Sequence, residues 1–190
     1  MSIEKGPILL LIARSAIAEQ LGQSLSAAID SPWLQEPGAT FVTLTQNGEL
    51  HGCIGSLEAY RPLLEDVKSN AISAAFRDPR FPPLQLAELN YIRVEVSLLS
   101  ASNPIRFESE QQALAQLRPK IDGIIFEYRH HRSTFLPQVW EQLPDPQTFL
   151  AQLKHKAGLA PNFWAADIKL SRYTICKWKE SEPIREAKQA

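Results

Sequence analysis

The chain has 190 residues, 44% hydrophobic and 22% charged, with 20 Lys and Arg against 21 Asp and Glu and a formal net charge of -1. That is the composition of a globular domain long enough to bury its own core, which excludes a disordered or fibrous chain. Near balance of charge, with no long run of one sign, weighs against a nucleic-acid or anionic-membrane surface, since phosphates demand clustered cations.

The N-terminal apolar run covers only residues 8–13 before Arg14 interrupts it, and no small-residue cleavage site follows. No stretch approaches the roughly 20 apolar residues of a membrane span. Pro7 suits the first turn of a helix, where its missing N–H costs nothing. Ile8, Leu11, Ile12, Ser15, Ala16 and Glu19 follow a helical period, so a helix is predicted over residues 6–21. Residues 31–39 contain two prolines and a glycine and read as loop.

Residues 41–46 and 49–54 form the clearest hairpin. Asn47-Gly48 between them suits a type I′ turn, whose two central residues both need positive φ. Pro62 opens a second helix to about residue 76, with Leu63, Val67, Asn70, Ala71 and Ala74 on one face. The loop RDPRFPP that follows is stiffened by its prolines. Residues 91–99 alternate: Ile92, Val94, Val96 and Leu98 point one way, Arg93, Glu95 and Ser97 the other.

Ser109 is positioned to cap a helix carrying Ala113, Leu114 and Leu117. A strand over 124–128 then turns at 129–133 into 134–136, and Pro137 starts a short helix through Trp140. Asp145-Pro146 caps another helix, with Phe149, Leu150 and Leu153 inward and Gly158 at its end. Residues 167–179 read as one long final strand. Residues 180–190 form a polar tail, expected to fray. Helices and hairpins intersperse without regular βαβ alternation, which favours an α+β fold with a largely antiparallel sheet covered by helices.

Four ordered strings carry a family resemblance: LHGCIGSLEAYRPL at 50–63, AFRDPRFPPL at 75–84, VEVSLL at 94–99 and TFLPQVW at 134–140, with KHKAGL at 154–159 agreeing. Their order and spacing resemble the AMMECR-type domain family, known in prokaryotes as protein A of the AmmeMemoRadiSam system. The likeness runs from about residue 8 to 178, so residues 1–179 are read as a single such domain. It implies a main lobe with a smaller second lobe, and an association with Memo-type and radical-SAM proteins. It names no reaction and no cofactor. The family's hallmark usually reads LRGCIG; His51 stands here at the arginine position, which puts in doubt any role that arginine has.

The candidate site centres on Cys53, between Gly52 and Gly55. Glycines there allow a ligand or another backbone to approach closely. The thiol suits a nucleophile, redox centre or soft metal ligand, but only as thiolate; the alternative is a small packed cysteine. On a strand, residues 51 and 53 point to the same face, so His51 is expected beside Cys53, where it would favour the thiolate. Glu95 is a candidate base or a partner for His51, or else a solvent-facing charge. Arg77, Asp78 and Arg80 read either as an anion clamp or as an internal network with Phe81 anchored in the core. Asn70 either lines a pocket or satisfies buried backbone.

Outside this cluster, Gln138 suggests a helix cap. His130 and His131 read as a solvated turn rather than a metal pair, Cys176 as a packed thiol, and His155 as surface. No metal site is expected. Too few cysteines for a disulfide framework, with no CxxC spacing, point to a reducing cytoplasm. Three functions are weighed. The first is a cysteine-dependent enzyme or enzyme subunit acting on a small anionic molecule. The second is a non-catalytic protein-interaction or regulatory module docking a partner protein. The third, nucleic-acid association, ranks last because of the near-neutral charge.

Overall fold

A computed structural model describes residues 5–24 and 31–181. It contains the helices α1 (Lys5–Gln20), α2 (Leu63–Phe76), α3 (Glu110–Gln116) and α4 (Pro146–Lys156). Its strands are β1 (Thr40–Gln46), β2 (Glu49–Gly55), β3 (Ile92–Leu99), β4 (Asn103–Ile105), β5 (Gly123–Tyr128), β6 (His131–Phe135), β7 (Lys169–Tyr173) and β8 (Ile175–Lys179). The fold is α+β, with two antiparallel four-stranded sheets ordered β2-β1-β3-β8 and β4-β7-β5-β6. Two compact units divide the chain: Leu99–Ile175, and the segments on either side of it.

In the first unit, α2 lies against β1 and β2 and packs on α1. Their shared core joins Leu9, Ile17, Val42, Leu44, Val67 and Val94. The Asn47-Gly48 turn holds φ of 53° and 86°, as a type I′ hairpin requires. One residue of β2 is extra: Leu44 faces Gly52 and Thr45 faces Leu50, leaving His51 bulged between them. Glu180, at the start of the expected tail, is pinned rather than frayed. Its carboxylate takes Arg14 and the Val94 amide, and its own N–H reaches the Val94 carbonyl. Residues 182–190 lie outside those described.

In the second unit, α3 and α4 enclose a core of Phe126, Trp140, Phe149, Leu150, Leu153 and Leu170. Ser109 and Asp145 cap their helices as the sequence suggests, accepting from Gln112 and Thr148 amides. Gln138 does not cap: the short turn at Pro137–Glu141 starts without a side-chain bond and Gln138 is exposed. Lys154 is fully buried, its Nζ 2.8 Å from Glu110 and its charge near the Trp164 ring. His131 begins β6 rather than lying in a free turn, and its Nδ1 meets the Ala157 carbonyl at 2.8 Å.

The expected long final strand is two strands in different sheets. Thr174 separates β7 from β8, bonded by its N–H to Ser100 Oγ and by its carbonyl to the Ser100 amide. β4 has no counterpart in the sequence reading; its three residues, Pro104 among them, form a sheet edge, where proline is tolerated. No helix among the described residues is long and apolar enough to cross a membrane.

Candidate functional site

Cys53 sits on β2, an edge strand whose one neighbour is β1. An edge strand leaves alternate amides and carbonyls without a ladder partner. At Cys53 the loop after α2 supplies both. Asp78 Oδ2 accepts the Cys53 N–H at 2.9 Å, and Arg80 Nη2 donates to the Cys53 carbonyl at 3.2 Å. Because these groups point away from β1, Cys53 faces Thr43 as a non-hydrogen-bonded pair, the geometry that brings side chains closest. Its Sγ is accordingly 3.3 Å from Thr43 Oγ1.

Asp78 and Arg80 form a fork-to-fork pair, Nε to Oδ1 at 2.9 Å and Nη2 to Oδ2 at 2.6 Å, with the Arg80 amide adding a third bond. Asp78 is buried while the Arg80 side chain is 54% exposed. The Arg80 bonds hold the Asp78 carboxyl well below the usual carboxylate range, against the opposing pull of burial and with help from the Cys53 amide. The same pairing raises Arg80. Arg80 Nη1 takes no partner among the described residues, and Arg77 is exposed beside it in the chain. Phe81 is only half-buried; Leu84 fills the core in its place, its amide bonded to the Ala75 carbonyl.

The glycines serve opposite faces of the sheet. A Cβ on Gly52 would collide with the Ala74 carbonyl oxygen, so α2 approaches β2 to backbone distance there. A Cβ on Gly55 would collide with the Phe41 ring, which lies across the other face. Cys53 shares that second face with Thr43. The row continues over the sheet: Thr43 pairs with Glu95, and Glu95 Oε1 is 3.2 Å from Lys177 Nζ on β8. Glu95 therefore lies two strands from Cys53, about 10 Å at ordinary strand spacing.

His51 is not joined to this row. The bulge breaks the alternation that would place it beside Cys53, and no hydrogen bond connects it to Cys53 or Glu95. Its ring stacks with Phe81 at 6.3 Å, and its buried Nε2 has no hydrogen-bond partner among the described residues. Cys53 is half-buried and Cys176 exposed, not packed as its alternation suggested. Among the described residues no group of three His, Cys, Asp or Glu side chains gathers as metal ligands would.

A second polar cluster went unseen in the sequence. Asp66 is fully buried and accepts from the Thr40 amide and hydroxyl, Ser56 Oγ, Arg61 Nε and Asn70 Nδ2, all at 2.6–3.0 Å. Asn70 also satisfies the Thr40 carbonyl at 3.0 Å. Asp66 stands in the first turn of α2, where an acid reads as an exposed partner of the helix dipole. The one available signal was its position one residue before Val67 and four before Asn70, on the edge of the apolar face.

The family model AMMECR1 matches residues 10–178. Protein MJ0810 of Methanocaldococcus jannaschii is 36% identical over 188 residues, covering 96% of this chain and 94% of its own. A protein of Methanothermobacter thermautotrophicus is 38% identical over 178 residues, covering 91% and 93%. Among solved structures, Uncharacterized Protein PH0010 from Pyrococcus horikoshii superposes with a TM-score of 0.77 at 35% identity, covering 95% of this chain and 93% of that one. The chain belongs to the AMMECR1 family.

Proposed function

We propose that this AMMECR1-family chain is a thiol-bearing enzyme subunit, which presents Cys53 to a small anionic molecule or group and leaves part of the catalytic machinery to another protein. The observation that carries this is the grip on Cys53. Its N–H and carbonyl are both held by the Asp78–Arg80 pair, while Sγ stays half-exposed with Thr43 as its polar neighbour. A backbone fixed on both sides positions a thiol without blocking it. The exposed Arg80, with Nη1 unused, and Arg77 supply positive charge for an approaching anion. A reducing cytoplasm would keep the thiol free.

The role is that of a subunit because no base among the described residues reaches the thiol. Glu95 is tied to Lys177 across the sheet, and His51 stacks on Phe81. A partner would supply the base, and the Memo-type or radical-SAM proteins implied by the family resemblance are the candidates. The second reading, a non-catalytic docking module, draws on the same absence of a base. It also draws on the glycines, both of which serve packing.

The test compares iodoacetate with iodoacetamide at Cys53, quantified by peptide mass spectrometry. The reading expects the anionic reagent to gain on the neutral one in the folded protein relative to the same peptide in urea, and Arg80→Gln to remove the gain. An unchanged or lower ratio in the folded protein would count against the anionic substrate.

A further inference from the structure

We propose that the loop between Ser56 and Arg61 is a docking surface for a basic, partly apolar segment of another protein; this does not depend on the role of Cys53. The two ends of the loop close on one atom. Asp66 Oδ1 accepts from Ser56 Oγ at 2.6 Å and from Arg61 Nε at 2.9 Å, and Arg61 Nη2 reaches Ser56 Oγ at 3.3 Å. Backbone bonds fix the same ends: the Ser56 amide donates to the Thr40 carbonyl, and the Gly38 amide to the Arg61 carbonyl. A short loop with its ends held together is a compact, preorganised unit.

The loop carries apolar side chains outward. Residues 57–60, between the anchors, are all exposed, and they include Leu57 at 39% and Tyr60 at 69%. The Arg61 guanidinium lies over the Tyr60 ring, 5.0 Å from its centroid, so the anchor also orients the aromatic. Single exposed apolar side chains are ordinary, but this pair stands on a fixed loop. A tyrosine already held in place loses little conformational entropy on binding, and tyrosine is enriched among the residues that dominate interfaces. An apolar core would hold β1 against α2 without desolvating a carboxylate; the charged network around Asp66 also ties down this loop.

The surroundings select the partner's charge. Glu58 lies in the loop and Glu65 in the first turn of α2. Glu36 stands beside the start of α2, where its carbonyl takes the Leu63 amide at 2.9 Å and Pro37 bridges to Pro62. All three glutamates are exposed, whereas Arg61 is turned onto the buried Asp66. An acidic rim around an apolar centre complements Lys or Arg flanking an apolar side chain, and it repels nucleic acid and anionic lipid. A small molecule needs a concave site, and four consecutive exposed residues make a convex one.

Selecting a random peptide library, displayed on phage, against the full-length protein with counter-selection on Tyr60→Ser tests the assignment. Peptides enriched on the wild type alone should carry Lys or Arg together with an apolar residue. A synthetic peptide of the enriched sequence should shift the amides of residues 57–60 saturably in NMR titrations. Tyr60→Ser, at an exposed position, should keep the wild-type thermal melt and weaken that peptide about tenfold, the scale of an aromatic hot spot. The double variant Glu36→Gln and Glu65→Gln should weaken it about threefold and flatten its salt dependence. No enrichment over Tyr60→Ser overturns the proposal. So do enriched peptides that are acidic or uncharged, or shifts that map away from the loop. A dimer of the wild type in sedimentation that Tyr60→Ser dissolves would assign the loop to a second copy of the chain, and overturns it too.

Discussion

Asp78 holds the backbone amide of Cys53, 25 residues earlier in the chain, at 2.9 Å. The contact closes the open edge of β2 with a side chain instead of another strand. That protects the edge from pairing with other chains. It also fixes the one thiol on which the proposed function rests.

Asp78→Ala should cost about 2 kcal/mol, because it orphans the buried-side amide of Cys53. The pH dependence follows from the lowered carboxyl. The folded protein holds Asp78 ionised to lower pH than the unfolded chain, whose carboxyl titrates near 3.8. Its contribution is therefore complete above that value and is lost as pH falls below it toward the folded-state value. Urea denaturation at a series of pH values should show the wild type's advantage over Asp78→Ala shrinking below about pH 4. An advantage that persists or grows in acid would contradict this.

Gly52→Ala should be more damaging than Gly55→Ala. The first drives a methyl group into the Ala74 carbonyl of α2, which cannot move without the helix; the second meets the Phe41 side chain, which can rotate. Overpacking against backbone should cost about 3 kcal/mol, the upper end for an added methylene. Thermal melts of the two variants side by side decide the order.

Removing Asp66 should come close to unfolding the first unit. Asp66→Ala leaves the Thr40 amide and the Thr40 and Ser56 hydroxyl protons without their acceptor in the interior, takes one of several bonds from the Asn70 amide, and frees Arg61. Breaking a buried pair by deleting one partner typically costs about 3–5 kcal/mol. Circular dichroism in urea would read this directly, and a loss under 1 kcal/mol, on the order of one surface ion pair, would refute the network's structural weight.

Lys154→Met should be tolerated. Lys154 is 1% exposed, but its partner Glu110 lies at the rim with a side chain 36% exposed, so water can take over the freed carboxylate. Methionine fills similar volume beside Trp164 without a charge to desolvate. The net change should stay within about 1 kcal/mol. A large loss would mean that the ammonium itself organises α3 against α4.

Local chemistry made much of the fold legible. Asn47-Gly48 marks its turn, Pro62 marks the start of α2, and Ser109 and Asp145 mark two helix starts, because each acts within a few residues of itself. What stayed hidden depends on neighbours in space. Nothing in Leu50-His51-Gly52 announces an extra residue, yet the bulge there moves His51 out of the row of Cys53. Nothing in Tyr173-Thr174-Ile175 announces a change of sheet; at the change Thr174 bonds to Ser100, 74 residues earlier in the chain. In the site, the hallmark pointed to Cys53 and the proline loop pointed to Asp78 and Arg80. That these grip the backbone of one residue on both its N–H and its carbonyl was not readable, and neither was the burial of Asp66, an acid at a position where helices ordinarily expose one.

The most direct test of the account is the rate of Cys53 alkylation by iodoacetamide in native protein, followed across urea concentrations well below the unfolding midpoint. A thiol presented by a fixed strand should react at a finite rate that does not change with urea until unfolding begins. A rate near zero in water that climbs in step with the unfolded population would make Cys53 a packing residue and contradict the proposed function.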